Sequence, residues 1–214
     1  SADCTAGSTR SGAMRTYYAA TQKVAAYLKE LFRVAYPAEH ARYEAAFQAG
    51  QWFAEDPGPW VGRALVFKLQ VSVHRDGKDD GPAAIFCAGT FSGGEAIFPD
   101  LGVKLRQVLI DARDPGLTLN RYGTGDVIIF MAGALYHKVA RWVPVGNREN
   151  GMAPGRVGHV FFFPRDSFRI LQDKPPDWCK KTNGGIRSSE GFPGLDLSPA
   201  MRKKLEKMGM AKGF

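Results

Sequence analysis

Hydrophobic residues along this chain change their spacing near residue 60, from a helical period to an alternating one. Before that point, Val24, Leu28, Leu31, Phe32 and Ala35 recur at three- and four-residue intervals. The spacing predicts an amphipathic helix over residues 16–35 with one apolar face. Pro37 breaks it, and residues 38–49 predict a second, shorter helix that stops at Gly50. Asp56-Pro57-Gly58-Pro59 is a loop.

Past residue 62 the pattern is one of short β-branched and aromatic runs separated by Gly, Pro and Asp. Strands are expected at 63–74, 83–91, 95–99, 103–111, 117–121, 126–131, 134–142 and 156–164. In the first, Leu65, Phe67, Leu69, Val71 and Val73 share one face, while Lys68, Gln70, Ser72 and His74 share the other. The hydrocarbon face is expected in the core, and the polar face is expected to line a wet pocket. Closely spaced strands of this kind suggest an α+β, mainly β fold: a jelly roll or barrel with the N-terminal helices packed outside one sheet. Residues 146–154 read as a polar loop. After Pro175-Pro176 the chain turns Gly- and Lys-rich, with a last helix expected at 198–208.

Length narrows the organisation. A chain of 214 residues suits a single domain. Within it, residues 16–49 serve as helical support, 63–164 as the jelly-roll core and 175–214 as a basic extension. Cys4, Cys87 and Cys179 are far apart and odd in number, so neither a disulfide framework nor a zinc motif is expected. That usage favours a reducing, intracellular setting, nuclear or cytoplasmic. No run of about 18 apolar residues predicts a membrane span. Residues 1–12 are small and polar, without the apolar stretch of a signal peptide, and whether this edge is native is left open. The net charge of +8 favours polyanionic partners such as nucleic acid, although an ordinary basic surface accounts for it equally well.

The chemistry centres on His74-Arg75-Asp76 and a remote His137. Two residues apart on an extended chain, His74 and Asp76 share a face and can reach one ion. His137 follows the run Gly125-Asp126-Val127-Ile128-Ile129-Phe130 and can bring a third donor across a barrel. Two imidazoles and a carboxylate suit divalent iron and leave other coordination positions open. The bland alternative is a solvated strand end with a hydrogen-bonded core histidine. In the last strand Arg156, Gly158 and Val160 share one face with His159 on the other, and an inward arginine can clamp a carboxylate through two charge-assisted hydrogen bonds. Arg141 or Arg63 could fill that role instead.

With those residues in view, the chain resembles the iron(II)- and 2-oxoglutarate-dependent oxygenases, a double-stranded β-helix family, over roughly residues 63–164. The ordered set Gly62-Arg63, His74-Arg75-Asp76, Phe91-Ser92-Gly93-Gly94-Glu95, Phe98-Pro99-Asp100-Leu101-Gly102, Gly125-Asp126-Val127-Ile128, His137 and Pro154-Gly155-Arg156 is similar to the TET/J-binding-protein branch, especially its fungal members. These oxidise the methyl group of a modified pyrimidine in nucleic acid. The resemblance implies His74, Asp76 and His137 as iron(II) ligands, Arg156 as partner of the distal 2-oxoglutarate carboxylate, and O2 as oxidant. It implies a base such as 5-methylcytosine as substrate, with Lys68, Gln70, Arg75, Trp60, Tyr136 and Trp142 as candidate contacts. Two departures stand out. Many relatives carry a hydroxyl residue where this chain has Gly158, and residues 103–122 intervene between Pro-Asp-Leu-Gly and the Gly-Asp turn. The rival expectations are a hydroxylase of the same chemistry acting on a small metabolite or a protein side chain, and a non-catalytic jelly-roll binding module.

Overall fold

The computed structural model describes residues 8–67, 70–105, 122–147 and 154–182. The strand expected at 117–121, the far half of 103–111, most of the loop at 146–154, the helix at 198–208 and the extension past Thr182 lie outside the described residues. So do Cys4, Lys68 and Leu69.

Two helices open the fold. The first, α1 (Ser8–Ala35), begins earlier than the apolar spacing predicts, and α2 (Pro37–Gly50) starts with proline in its first turn, where a missing N–H costs nothing. The buried stripe of α1 is Tyr18, Ala25, Leu28 and Phe32; Val24 and Ala35, expected within it, are exposed. From α2, Tyr43, Ala46 and Phe47 are buried.

The strands form two antiparallel sheets, so the chain is α+β. The larger sheet has the order β1 (Gly62–Phe67), β8 (Gly155–Pro164), β2 (Asp79–Gly93), β5 (Val127–Phe130), with β7 (Trp142–Pro144) pairing the far end of β2. The smaller is β4 (Val103–Leu105), β3 (Ala96–Phe98), β6 (Lys138–Val139). The ladder between β2 and β8 shifts register between Asp80 and Ala84, where Pro82 has no N–H to give. Two short helices, α3 (Arg165–Leu171) and α4 (Trp178–Thr182), follow β8.

Strand alternation splits the core in two. On the helix side, Ala84 of β2 and Phe161 and Phe163 of β8 pack with Leu28, Phe32, Tyr43, Trp60, Phe168 and Trp178. On the other face, Ala83, Cys87 and Phe91 of β2 pack with Phe98 of β3, Phe130 of β5 and Tyr122. Between these sheets lies a cavity of about 340 Å³. No helix among the described residues is long and apolar enough to cross a membrane.

One expected strand does not continue. Residues 63–74 were expected as a single strand with Leu65, Phe67, Val71 and Val73 in the core, but β1 ends at Phe67. Leu65 and Phe67 are exposed, and Ala64 and Val66 face the cavity instead. Farther along, the chain takes its partners from the start of β7 and the segment preceding it. Gln70 Nε2 donates to the Trp142 carbonyl at 3.2 Å and Asp76 N–H to the Ala132 carbonyl at 3.0 Å. Residues 70–73 form no strand, so no alternation holds them to one face, and Val71 faces the cavity while Val73 is exposed.

Candidate metal centre

His74 and His137 form an isolated antiparallel bridge, exchanging both backbone hydrogen bonds at 3.0 and 2.9 Å. Paired residues of this kind project to the same side, and the two imidazole rings lie 4.3 Å apart. Asp76, two residues past His74, projects with them. One ligand atom from each of His74, Asp76 and His137 falls within 4.8 Å of the others, so the three could hold one metal ion. His74 Nε2 is 3.7 Å and His137 Nε2 3.5 Å from the two oxygens of Asp76.

The surroundings orient these donors. His74 Nδ1 lies 2.8 Å from the Ser72 carbonyl and His137 Nδ1 3.0 Å from the Leu135 carbonyl. A carbonyl only accepts, which assigns the proton to Nδ1 and leaves the Nε2 lone pair toward Asp76. Phe130 meets the His137 ring edge-on at 4.9 Å, forming an apolar back wall. Asp100, in the Pro-Asp-Leu-Gly turn, accepts the Tyr136 N–H at 2.7 Å and holds the approach to His137. When the His137 ring is charged, its Nε2–H bonds to Asp76 and lowers the Asp76 pKa despite partial burial, with the histidine charges adding to it. Burial alone would lower the His137 pKa, but Asp76 and the Leu135 carbonyl raise it overall. Asp79, which the sequence reading missed, lines the same cavity, and burial, then the Asp76 charge, pushes its pKa up to about 7.

Arg156 stands at another part of this cavity. It projects from β8 opposite Gly89 and is only 4% exposed. Its Nη2 reaches the Tyr122 hydroxyl at 3.4 Å, its Nε has no hydrogen-bond partner, and no carboxylate pairs with it among the described residues. A buried cation without an anion is costly, so this arrangement favours an acidic ligand. The approach of β2 to β8 here requires glycine: Gly89 has φ +108°, and a Cβ on it would lie 2.1 Å from the Gly155 carbonyl oxygen.

The other two arginines are placed elsewhere. Arg63 is buried on the helix side, ion-paired with Asp56 and 4.0 Å above the Phe161 ring. Arg141 is exposed and outside the cavity. Of the three arginines considered for the clamp, Arg156 alone shares a cavity with His74, Asp76 and His137.

Several candidate contacts are corrected by the structure. Trp60 is fully buried among the helices and donates to the Pro82 carbonyl at 3.0 Å. Trp142 belongs to the second core, and Gln70 is spent on its carbonyl. Arg75 and Tyr136 follow and precede the bridged histidines, so alternation sends them to the opposite face, where the guanidinium lies 4.7 Å over the phenol ring. Tyr122 was not singled out from the sequence; its place just before the Gly-Thr-Gly-Asp turn was the only available signal. A scan of protein-family models finds no match to this chain, and a search of curated proteins finds none either.

Proposed function

We propose that this protein is an iron(II)- and 2-oxoglutarate-dependent dioxygenase on a double-stranded β-helix scaffold, similar to the TET/J-binding-protein branch. Its proposed reaction is oxidation of the methyl group of a modified base such as 5-methylcytosine in nucleic acid. The observation that carries this reading is one cavity holding His74, Asp76 and His137 together with a buried arginine to which the described residues offer no carboxylate.

Two nitrogens and one carboxylate on one side of an ion match the donor set of non-haem iron oxygenases, with the remaining positions open. When bound, iron and 2-oxoglutarate would supply oxygen activation: one atom of O2 enters the substrate C–H bond, the other enters succinate, and carbon dioxide leaves. The protein's own part is placement. His74, Asp76 and His137 fix the ion, and the carbonyls of Ser72 and Leu135 fix the two rings. Arg156 anchors the distal carboxylate of the co-substrate. Ala64, Val66, Val71 and Val160 provide apolar walls that exclude water from the reacting carbon. No side chain has to move a proton. A base in a duplex would have to turn out of the stack to enter this cavity, and the net charge of +8 favours a polyanionic partner.

The test is anaerobic iron binding and succinate release with methylated duplex DNA, comparing wild type with His74→Ala and Asp76→Ala. Loss of a direct ligand is expected to weaken metal binding by more than the roughly 10–100-fold caused by losing an outer partner, and to abolish succinate release. Undiminished turnover in both variants would reject the metal assignment. Mass spectrometry of DNA, RNA, peptides and free metabolites then assigns the substrate. Oxidation confined to a metabolite or peptide would replace the nucleic-acid reading.

A further inference from the structure

Tyr122 occupies a built position that the metal site does not require. The turn after it is fastened to β2 by two hydrogen bonds and closed on itself by a third. Gly125 N–H donates to the Cys87 carbonyl at 2.8 Å, Thr124 Oγ1 donates to the Gly89 carbonyl at 2.8 Å, and Asp126 closes the turn on Gly123 N–H at 2.6 Å. Cys87 pairs with Gly158 and Gly89 with Arg156 across the ladder. The fastening therefore sets the Tyr122 hydroxyl beside the Arg156 guanidinium, with both side chains buried and both lining the cavity that holds His74, Asp76 and His137.

The hydrogen-bond capacities do not balance within this pair. Arginine has five donors and no acceptor, so the hydroxyl can accept from Arg156 but cannot give its own proton to it. The Cys87 sulfur, in contact with both Tyr122 and Arg156, is only a weak acceptor, and its thiol donates to the Gly123 carbonyl at 3.4 Å. Burial raises the Tyr122 pKa further, keeping the phenol a donor at neutral pH. Two donors thus converge on a volume in which the described residues offer no acceptor stronger than the Cys87 sulfur. Across the ladder, Gly158 adds nothing to fill it, since a Cβ there would make only ordinary contacts at 3.5 Å with Arg156 Nη1 and Val66.

We infer that Tyr122 is the second anchor of the co-substrate: its hydroxyl donates to the same distal carboxylate that Arg156 clamps. This rests on the 2-oxoglutarate reading above. Arginine fixes the charge, and the phenol reports whether a carboxylate oxygen is present at the far end of the keto acid. Together they select a dicarboxylic acid over a monocarboxylic one of the same length.

The test is calorimetric titration of anaerobic iron-loaded protein with 2-oxoglutarate and with 2-oxopentanoate, which has the same keto-acid head and chain but no distal carboxylate. Tyr122→Phe keeps the ring and removes the donor. The expected result is binding of 2-oxoglutarate weakened by about tenfold or more, with 2-oxopentanoate unchanged. An unchanged affinity for 2-oxoglutarate, or an equal loss for both acids, would overturn the proposal, because a purely structural tyrosine acts on both alike. If the variant does not fold, wild type decides: 2-oxoglutarate must perturb tyrosine absorption in a way 2-oxopentanoate does not, and identical difference spectra would overturn it. A wild-type protein that binds neither acid overturns the 2-oxoglutarate reading itself, and that result is independent of the Tyr122 comparison.

Discussion

Replacing Arg156 with methionine separates two effects that a structural arginine would not separate. In the absence of an acid, the guanidinium is 4% exposed, bonded once to Tyr122 at 3.4 Å and lying 5.7 Å from the Phe91 ring centroid. Those contacts are worth on the order of 0.5–1 kcal/mol each. Against them stands the desolvation of a charge with no carboxylate partner among the described residues, and replacing buried ionic groups by apolar ones of similar volume is often neutral or stabilising by about 1–4 kcal/mol. Arg156→Met is therefore expected to melt at or above the wild-type temperature. Ligand binding should move the other way. Two charge-assisted hydrogen bonds at about 1.5–3 kcal/mol each make the loss about 3–6 kcal/mol, which raises the dissociation constant for 2-oxoglutarate on the order of 10²–10⁴-fold. The assay is a thermal melt of metal-loaded protein with and without 2-oxoglutarate. At about 100 times its dissociation constant, the acid stabilises wild type by about 2.7 kcal/mol, a shift of about 5–10 °C for a chain of this size. At the same concentration the variant should gain less than about 0.5 kcal/mol. A variant that melts several degrees below wild type yet keeps the full ligand shift would refute this reasoning and make Arg156 a structural residue.

The remaining expectations concern the scaffold around the site. Gly89→Ala should cost more than about 1 kcal/mol, because its Cβ meets the Gly155 carbonyl oxygen at 2.1 Å and its φ is +108°, whereas Gly158→Ser should leave the melting temperature nearly unchanged. A Gly89→Ala protein as stable as wild type would show that β2 and β8 can separate there. Trp60→Phe leaves the Pro82 carbonyl without its buried donor and should cost about 1–3 kcal/mol in denaturant unfolding, while 2-oxoglutarate affinity stays the same; altered affinity would return Trp60 to the substrate contacts. Burial lowers the His159 pKa below its ordinary 6.5, so the unfolded chain takes up a proton first as the pH falls. Its contribution to stability is present above that value and lost as the pH drops through the folded-state pKa. His159→Phe keeps the stack on Phe86, whose ring lies 4.5 Å away, and should lose less melting temperature than wild type between about pH 7 and pH 5. An identical loss in both proteins would assign that pH dependence to other groups.

Much of the local structure was legible in residue spacing. Backbone periodicity is a property of neighbouring residues, so the stop at Pro37, the helices on either side of it and the alternation of β2 and β8 could be read directly. The same spacing put His74 and Asp76 on one side of an extended chain, while the resemblance implied His137 as third donor and Arg156 as clamp, with Arg141 and Arg63 the alternatives left open by the residues. Spacing could not say what would cover each face. Leu65 and Phe67 look like core residues, yet the chain leaves β8 after Phe67, and both are exposed. Arg63 and Arg156 are equally plausible clamps in sequence; only the packing of Asp56 against one, and the lack of a carboxylate beside the other among the described residues, separates them. Trp60 could stack on a base until the helices are seen to enclose it, and Tyr122 carries no motif of its own. The sequence by itself determined the element types and the chemical identities of the donors, because these depend on side chains and on near neighbours. Only the tertiary structure decided that His74, Asp76 and His137 meet and that Arg156 and Tyr122 share their cavity. Those contacts join distant segments through strand pairings whose registers depend on the whole sheet.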